Sequence, residues 1–258
     1  MKIATWNVNS IRSRLDRVLN WLEKNSPDVL CLQELKCTDE QFPFAEIQGA
    51  GYHAEVYGQK AYNGVAILSR SKPTDVRRGL FNNTNNADDE QSRLISAVID
   101  GVRIICAYVP NGSELTSDKF AYKLDWLGRL REMLNHDFTT TTPLLLCGDV
   151  NVFMRDSDAA HPERWTKTVI ACDEVRAAWK NVTDWGLVDV FSKKHPEGGI
   201  FSWWDYRRLG FAHNNGLRLD YVYASPPLTE KCESASIDRD ERKGTKPSDH
   251  APVTVTFA

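Results

Sequence analysis

Apolar positions along the chain switch between two periods, and each switch marks an element. Residues 2–9 and 28–33 are short, nearly continuous apolar runs of strand length. Between them Ile11, Leu15, Val18, Leu19 and Leu22 fall at helical spacing, and Pro27 closes that segment. Runs at 52–57, 64–69, 94–99 and 102–109 read as strands in hairpin-like succession, with Asp100-Gly101 as the turn between the last two. Phe120, Leu124, Leu127, Leu130 and Leu134 mark a second long helix before Pro143. The run 143–148 then restarts the scheme and ends at an acid, Asp149. A helix at 173–183 and strands at 200–204, 217–223 and 252–257 complete the pattern.

Both halves thus run strand, acid, helix, then several strands, without a residue-level repeat or a low-complexity linker. Only 82–90, rich in Asn and Asp, reads as an irregular exposed loop. The pattern predicts one α/β domain over residues 1–258, with two mixed β-sheets packed face to face and helices outside.

Composition narrows this little. A chain of 258 residues, 41% hydrophobic, can bury a full core without staples. Its six cysteines are scattered with no C-x-x-C pair, and Cys31, Cys106 and Cys147 lie inside strand-like runs as small hydrophobes. That usage suits a reducing cytosol and excludes a structural zinc site. The chain opens into a strand rather than a signal peptide, and no apolar run approaches membrane-span length. A soluble, cytoplasmic monomer is expected, with no membrane partner. The net charge of −3 argues against a generic polyanion binder. It leaves room for a local basic face from Arg12, Arg14, Arg17, Arg77, Arg78, Arg207, Arg208, Arg239, Arg242, Lys243 and Lys246. A solvated mixed surface is the reading that composition alone favours for these charges.

Chemistry enters through short polar motifs placed where strands end. Glu34 and Asp249 are hard oxygen ligands and Asn7 adds a neutral oxygen. Two carboxylates and an amide are too few for a calcium cage but suit Mg²⁺, which keeps waters and shares its shell with phosphate. Asp149 and Asn151, two apart in an extended segment, face the same side. There a carboxylate able to hold or deprotonate water stands beside an amide able to donate to a phosphate oxygen. His250, when protonated, can stabilise a developing phosphorane oxygen, with Asp220 as the carboxylate that orients it. Tyr108 ends a strand before Pro110-Asn111-Gly112 and can offer its phenol to phosphate; a partly buried strand tyrosine is the plainer alternative. The segment 201–208 interleaves aromatics with arginines, as a loop contacting unpaired nucleotides would. One of Trp203 and Trp204 is expected in the core. The loop 59–64, with Arg12 and Lys36, is a candidate backbone-phosphate contact.

Taken together, the motifs resemble the exonuclease III-type DNA repair nucleases of the endonuclease/exonuclease/phosphatase superfamily, nearly end to end. The resemblance rests on W-N-V-N-S-I-R at 6–12, L-Q-E-L-K at 32–36, Y-N-G-V-A-I-L-S-R at 62–70 and Y-V-P-N-G at 108–112. Y-K-L-D-W at 122–126, H-P-E-R-W at 161–165, F-S-W-W-D-Y-R at 201–207, G-L-R-L-D-Y at 216–221 and P-S-D-H-A-P-V at 247–253 complete it. It implies a four-layered α/β sandwich and Mg²⁺-dependent cleavage of DNA phosphodiesters, with Mn²⁺ as an accepted substitute. By motif, Glu34 is the principal metal ligand, helped by Asn7 and Asp249, and Asp149, Asn151 and His250 form an optional second site. Asp149 aligns or deprotonates water, Asn151 and His250 stabilise the transition state, Asp220 orients His250, and Tyr108 touches the scissile phosphate. Asn111, Trp203 and Leu217 would line a pocket for an extrahelical abasic sugar, and Arg12, Lys36, Tyr62, Asn63, Trp204 and Arg207 would contact DNA. The implied partner is double-stranded DNA with abasic sites or 3′ ends. Two departures stand out: Val150 where the family usually has Phe in G-D-x-N, and 151–158 without the usual Pro.

Two other classes compete. A superfamily phosphatase acting on inositol phosphates or lipids is disfavoured by the Trp-rich loop and by Y-V-P-N-G. A non-catalytic DNA-damage binder would have no use for carboxylates that repel phosphate.

Overall fold

The computed structural model describes residues 1–80 and 91–258; the loop expected at 82–90 lies outside the described residues. The first half runs β1 (Lys2–Asn7), α1 (Ile11–Asn25), β2 (Val29–Gln33), α2 (Phe44–Gly49), β3 (His53–Tyr57) and β4 (Val65–Ser69). The middle runs β5 (Thr74–Arg78), β6 (Leu94–Ile99), β7 (Val102–Tyr108), α3 (Asp118–Asp137) and β8 (Leu144–Asp149). Then follow α4 (Asp173–Thr183), β9 (Val188–Asp189), α5 (Val190–Lys194), β10 (Trp203–Trp204) and β11 (Gly216–Leu217). The chain closes with β12 (Asp220–Ala224), α6 (Pro226–Thr229), β13 (Cys232–Ile237) and β14 (Val253–Phe257).

Two mixed sheets result, in the orders β13-β14-β1-β2-β4-β3 and β5-β6-β7-β8-β12-β9. Their inner faces share one apolar layer that includes Ile3, Cys31, Ile67, Cys106, Cys147 and Val222. Helices cover the outer faces: α1 seats Val18, Trp21 and Leu22 against one sheet, and α3 and α4 bury Leu127, Leu130, Trp179 and Val182 against the other. This is the four-layered sandwich, as expected. Every cysteine is free and buried, and no described helix is long and apolar enough to cross a membrane.

The topology itself locates the site. β1 and β2 are parallel, joined by α1, and β7 and β8 are parallel, joined by α3. Parallel neighbours end on the same edge, so Asn7 and Gln33 finish side by side, as do Tyr108 and Asp149. Carboxyl ends of parallel strands are where open α/β sheets gather ligands. Antiparallel β12 begins at that edge, with Asp220 opposite Asp149.

Local chemistry explains the elements. Asp100 and Gly101 both take positive φ, 49° and 80°, the mirror-image turn that matches strand twist. Helix α3 starts at Ser117, whose side chain accepts from the Phe120 amide at 3.3 Å. Helix α1 stops at Ser26, which sits left-handed ahead of Pro27. Gly148 is obligatory: at φ 149°, a Cβ there would fall 1.8 Å from the Ala107 carbonyl oxygen of the paired strand.

Two sequence expectations need correction. The strand expected at 200–204 shrinks to Trp203–Trp204, and the one expected at 217–223 breaks into β11 and β12. The break falls where Arg218 turns into a buried ion cluster and the Leu219 carbonyl is taken by the Val150 amide. Edge strands β5 and β13 were not expected. Both carry polar residues on both faces, which blunts an edge and erases the alternation that announces a strand.

Candidate active site

Five strand ends and the segment before β14 converge on one edge. Asn7 stands at the centre: its Nδ2 donates to Glu34 Oε1 and to Asp149 Oδ2, each at 2.9 Å. One amide thereby ties the first sheet's acid to the second sheet's acid. Glu34 Oε1 also accepts from the Tyr108 hydroxyl at 2.9 Å, and Glu34 Oε2 pairs with Lys36 Nζ at 2.8 Å. Lys36 reaches on to Asn9 Oδ1 at 2.6 Å, and Asn9 Nδ2 donates to Asp249 Oδ1 at 2.9 Å. Asp249 Oδ2 accepts from Trp203 Nε1 at 3.1 Å. Burial opposes ionisation of Glu34 and Asp249. Asn7 and Lys36 outweigh it at Glu34, and His250, Asn9 and Trp203 outweigh it at Asp249, so both carboxyls lie below their ordinary range.

The other half of the site is a line of three groups. His250 Nδ1 meets Asp220 Oδ2 at 2.8 Å, and His250 Nε2 lies 3.7 Å from Asp149 Oδ2. Ser202 Oγ donates to the same Asp220 oxygen at 2.6 Å and accepts from the Leu219 and Asp220 amides, fixing the carboxylate. Burial would neutralise His250, but Asp220, Asp149 and Asp249 prevail and push it up to about 10. Burial raises Asp149 to about 7, against the pull of His250. The three acids thus favour the charged imidazole, while burial favours the protonated form of the Asp149 carboxyl that faces it.

Asn151 is fixed from every side. Its amide N–H donates to Asp149 Oδ1 at 3.0 Å, its Nδ2 to the Val109 carbonyl at 3.0 Å, and its Oδ1 accepts from Asn111 Nδ2 at 3.0 Å. One Nδ2 hydrogen is left over. Beneath it, Lys123 Nζ is wholly buried and donates to the carbonyls of Asn111, Asn151 and Val169 at 3.1, 2.8 and 2.8 Å. Burial draws this ammonium down to about 7 and the Asp149 charge opposes that. Its three carbonyl acceptors match the three hydrogens of the charged form. Asn9, Glu34, Lys36 and Asn151 take left-handed φ of 46°, 54°, 54° and 52°, a region that asparagine tolerates and that costs about 1–3 kcal/mol at Glu34 and at Lys36.

The oxygen donors Glu34, Asp249 and Asn7 fit a hard divalent cation such as Mg²⁺. Glu34 and Asp249 are linked through Lys36 and Asn9, so positive charge already stands between the two depressed carboxyls. Asn7 presents nitrogen rather than oxygen to the acids, so acting as a ligand requires its amide to turn over. Among the described residues, Asp149, Asp220 and His250 also place ligand atoms within 4.8 Å of one another. Asp220 accepts from Nδ1 and the surrounding acids favour the charged imidazole, so His250 is set to donate from Nε2 rather than to ligate.

The outer contacts divide. Arg12 is exposed on a groove of about 670 Å³ shared with Arg14, Arg17, Lys24 and Lys246. Tyr62, 70% exposed, lines a groove of about 480 Å³ that runs past Tyr108 to Asn111. Arg207 is exposed and pairs with Asp205 at 3.0 Å, and Trp203 is half-buried, edge-on to Trp165. Trp204, Leu217 and Asn63 are largely buried, with Asn63 lining the same groove as Tyr62. Trp204 is 0% exposed and bonds Asn214, Leu217 is 1% exposed beside Trp203, and Asn63 is held by Gln59 and Gln91. Tyr108 spends its single hydrogen on Glu34, so it orients that acid instead of offering a free donor. Sequence reasoning missed Asn9, Ser202 and Lys123. All three sit inside motifs quoted above, but an asparagine, a serine or a lysine there carries no signal of its own.

The sequence profile described as the "Endonuclease/Exonuclease/phosphatase family" matches residues 4–250. The chain is 36% identical over its full length to the full length of exodeoxyribonuclease III of Haemophilus influenzae. An AP endonuclease from Archaeoglobus fulgidus superposes with a TM-score of 0.95 at 41% identity, covering 100% of this chain and 99% of that one. A 3′ phosphatase from Neisseria bound to product DNA hairpin superposes with a TM-score of 0.96 at 42% identity, with the same coverage.

Proposed function

Because the chain belongs to the endonuclease/exonuclease/phosphatase family, we propose that it is a DNA repair nuclease that hydrolyses DNA phosphodiesters with Mg²⁺. The reading takes the chain as a single domain acting as a cytoplasmic monomer. One observation carries it: a single amide, Asn7, binds the acid of each sheet, so metal-binding and water-activating groups share one cleft. Glu34 and Asp249, with Asn7 after its amide turns, would hold the cation, which when bound neutralises charge on the phosphate oxygens.

The chain's own groups supply the rest. Asp149 receives a proton from water attacking in line with the leaving oxygen. His250, held as a cation by Asp220, donates from Nε2 to a non-bridging phosphate oxygen as charge grows there. Asn151 offers its remaining Nδ2 hydrogen to a second oxygen. Tyr108 keeps Glu34 oriented. Arg12, Tyr62 and Arg207 lie on exposed rims where backbone phosphates would pass.

A second reading, trimming of 3′ ends without cleavage at internal abasic sites, is favoured by the interior of the expected sugar pocket. Leu217 is buried, and Trp203 is tethered to Asp249 and packed against Trp165. Two labelled duplexes separate these readings, one with an internal abasic site and one with a nick bearing a 3′-phosphate, each with Mg²⁺ or EDTA. Incision 5′ to the abasic site supports the endonuclease. Attack on the 3′-phosphate alone supports the end-trimming enzyme, and attack on neither overturns both.

A further inference from the structure

The motif at 122–126 lends Tyr122 to the groove beside Tyr108 and Asn111, and behind it holds a wholly buried cation. Lys123 sits one turn into α3, 0% exposed, and its Nζ spends all three hydrogens on backbone carbonyls. Each carbonyl belongs to a different segment: Asn111 after β7, Asn151 after β8, and Val169 before α4. A buried ammonium is costly unless every hydrogen is matched, and here it is. The side-chain stem adds a fourth fixing point, because a Cβ on Gly112 would lie 3.2 Å from Lys123 Cδ. Ser117 Oγ, at the cap of the same helix, donates to the Gly112 carbonyl at 2.9 Å.

We propose that Lys123 is a positioning residue for catalysis, acting through Asn151 and Asn111. The two amides it anchors are bonded to each other, Asn111 Nδ2 to Asn151 Oδ1, and the Asn151 amide N–H holds Asp149 Oδ1. A change of Lys123 therefore reaches the water-activating carboxylate through two hydrogen bonds. Asn151 adopts φ 52°, a left-handed conformation that asparagine tolerates, and Lys123 holds its carbonyl there at 2.8 Å. The role rests on the assignment of Asp149 and Asn151 as catalytic.

The decisive experiment is a double-mutant cycle in single-turnover cleavage of a 3′-labelled duplex with saturating Mg²⁺. Lys123→Met keeps the stem and removes every hydrogen. It is expected to lower the cleavage rate constant by about 10–100-fold while duplex affinity changes by less than about 3-fold. In an Asn151→Ala background the same change should cost less than about 3-fold, because the group being positioned is already gone. Equal losses in both backgrounds would overturn the role in favour of a purely structural lysine, as would undiminished activity of Lys123→Met. Circular dichroism melts identify a variant that does not fold; in that case Lys123→Arg, which retains the charge but cannot match the three carbonyls, takes its place with the same expected cycle. Failure of the wild-type protein to cleave at all would refute the catalytic assignment itself, which this cycle keeps distinct from failure of the lysine's role.

Discussion

Replacing Arg218 by Met should destabilise the protein strongly, by an amount that depends on pH. Arg218 and Asp158 are each 1% exposed, and the guanidinium grips both Asp158 oxygens at 3.0 Å. It also reaches Asp189 Oδ2 at 2.7 Å and Ser192 Oγ at 2.8 Å, with its carbon 4.2 Å from the Tyr221 ring centre. Removing the cation leaves Asp158 with Arg155 as its remaining ionic partner. Breaking a buried pair from one side costs about 3–5 kcal/mol. A chain of 258 residues has an unfolding entropy of about 0.54 kcal/mol/K near its midpoint. The expected fall in Tm at pH 7 is therefore about 6–9 °C. Burial opposes ionisation of Asp158, but Arg218 and Arg155 prevail and hold its carboxyl below the ordinary range. A carboxyl depressed by folding contributes stability that is complete above its unfolded pKa and is lost as pH falls through the folded one. The gap between wild type and Arg218→Met should thus be widest at neutral pH and shrink as pH falls from about 7 to about 3, because protonating Asp158 removes the charge that the variant leaves buried. Calorimetric melts across that range provide the test. A second variant, Arg218→Met with Asp158→Leu, should recover much of the loss, since replacing both partners leaves no buried charge between them. A Tm drop under about 2 °C, or a gap unchanged by acid, would refute the reasoning.

Three further outcomes follow from the same geometry. His250→Ala should lower turnover by about 10²–10³ with duplex binding kept, the usual cost of a transition-state donor, as single-turnover rates and gel shifts would show. Trp204→Ala should cost about 3–5 kcal/mol of stability because the ring is fully enclosed, whereas Trp203→Ala should lose activity with a smaller shift in Tm; denaturant titration and cleavage assays distinguish them. Affinity for duplex DNA should fall with log–log slope of about −0.9 per phosphate contacted, and Arg12→Ala should make that slope shallower by about one contact.

Much of the site was legible because acids at strand ends leave a local signature: an apolar run, then Glu34 or Asp149. Parallel pairing then brings such ends to one edge, so placement followed from topology once the helices between strands were recognised. What sequence hid was the direction in which a side chain turns. Trp203 and Trp204 are adjacent, and pleating alone sends one toward Asp249 and the other into the core. Arg242 reads as part of a basic surface run, yet it is buried, donating to the carbonyls of Ser248 and Trp204 beneath the Tyr206 and Phe211 rings. Lys36 looks like a free phosphate contact, and in the structure it pairs with Glu34. A cation's partner is set by three-dimensional packing, and neither its spacing nor its neighbours encode it. The strands at 74–78 and 232–237 were invisible for a related reason: sheet edges are built from polar residues that resemble loops.

The most direct test of the account is the single-turnover rate constant for cleavage of a duplex 3′ end by wild type and Asp149→Asn, with Mg²⁺ or EDTA. The account predicts cleavage by wild type only with the cation, and a fall of at least about 10³-fold in Asp149→Asn while the duplex still binds. Cleavage in EDTA, or an Asp149→Asn rate close to that of wild type, would contradict it.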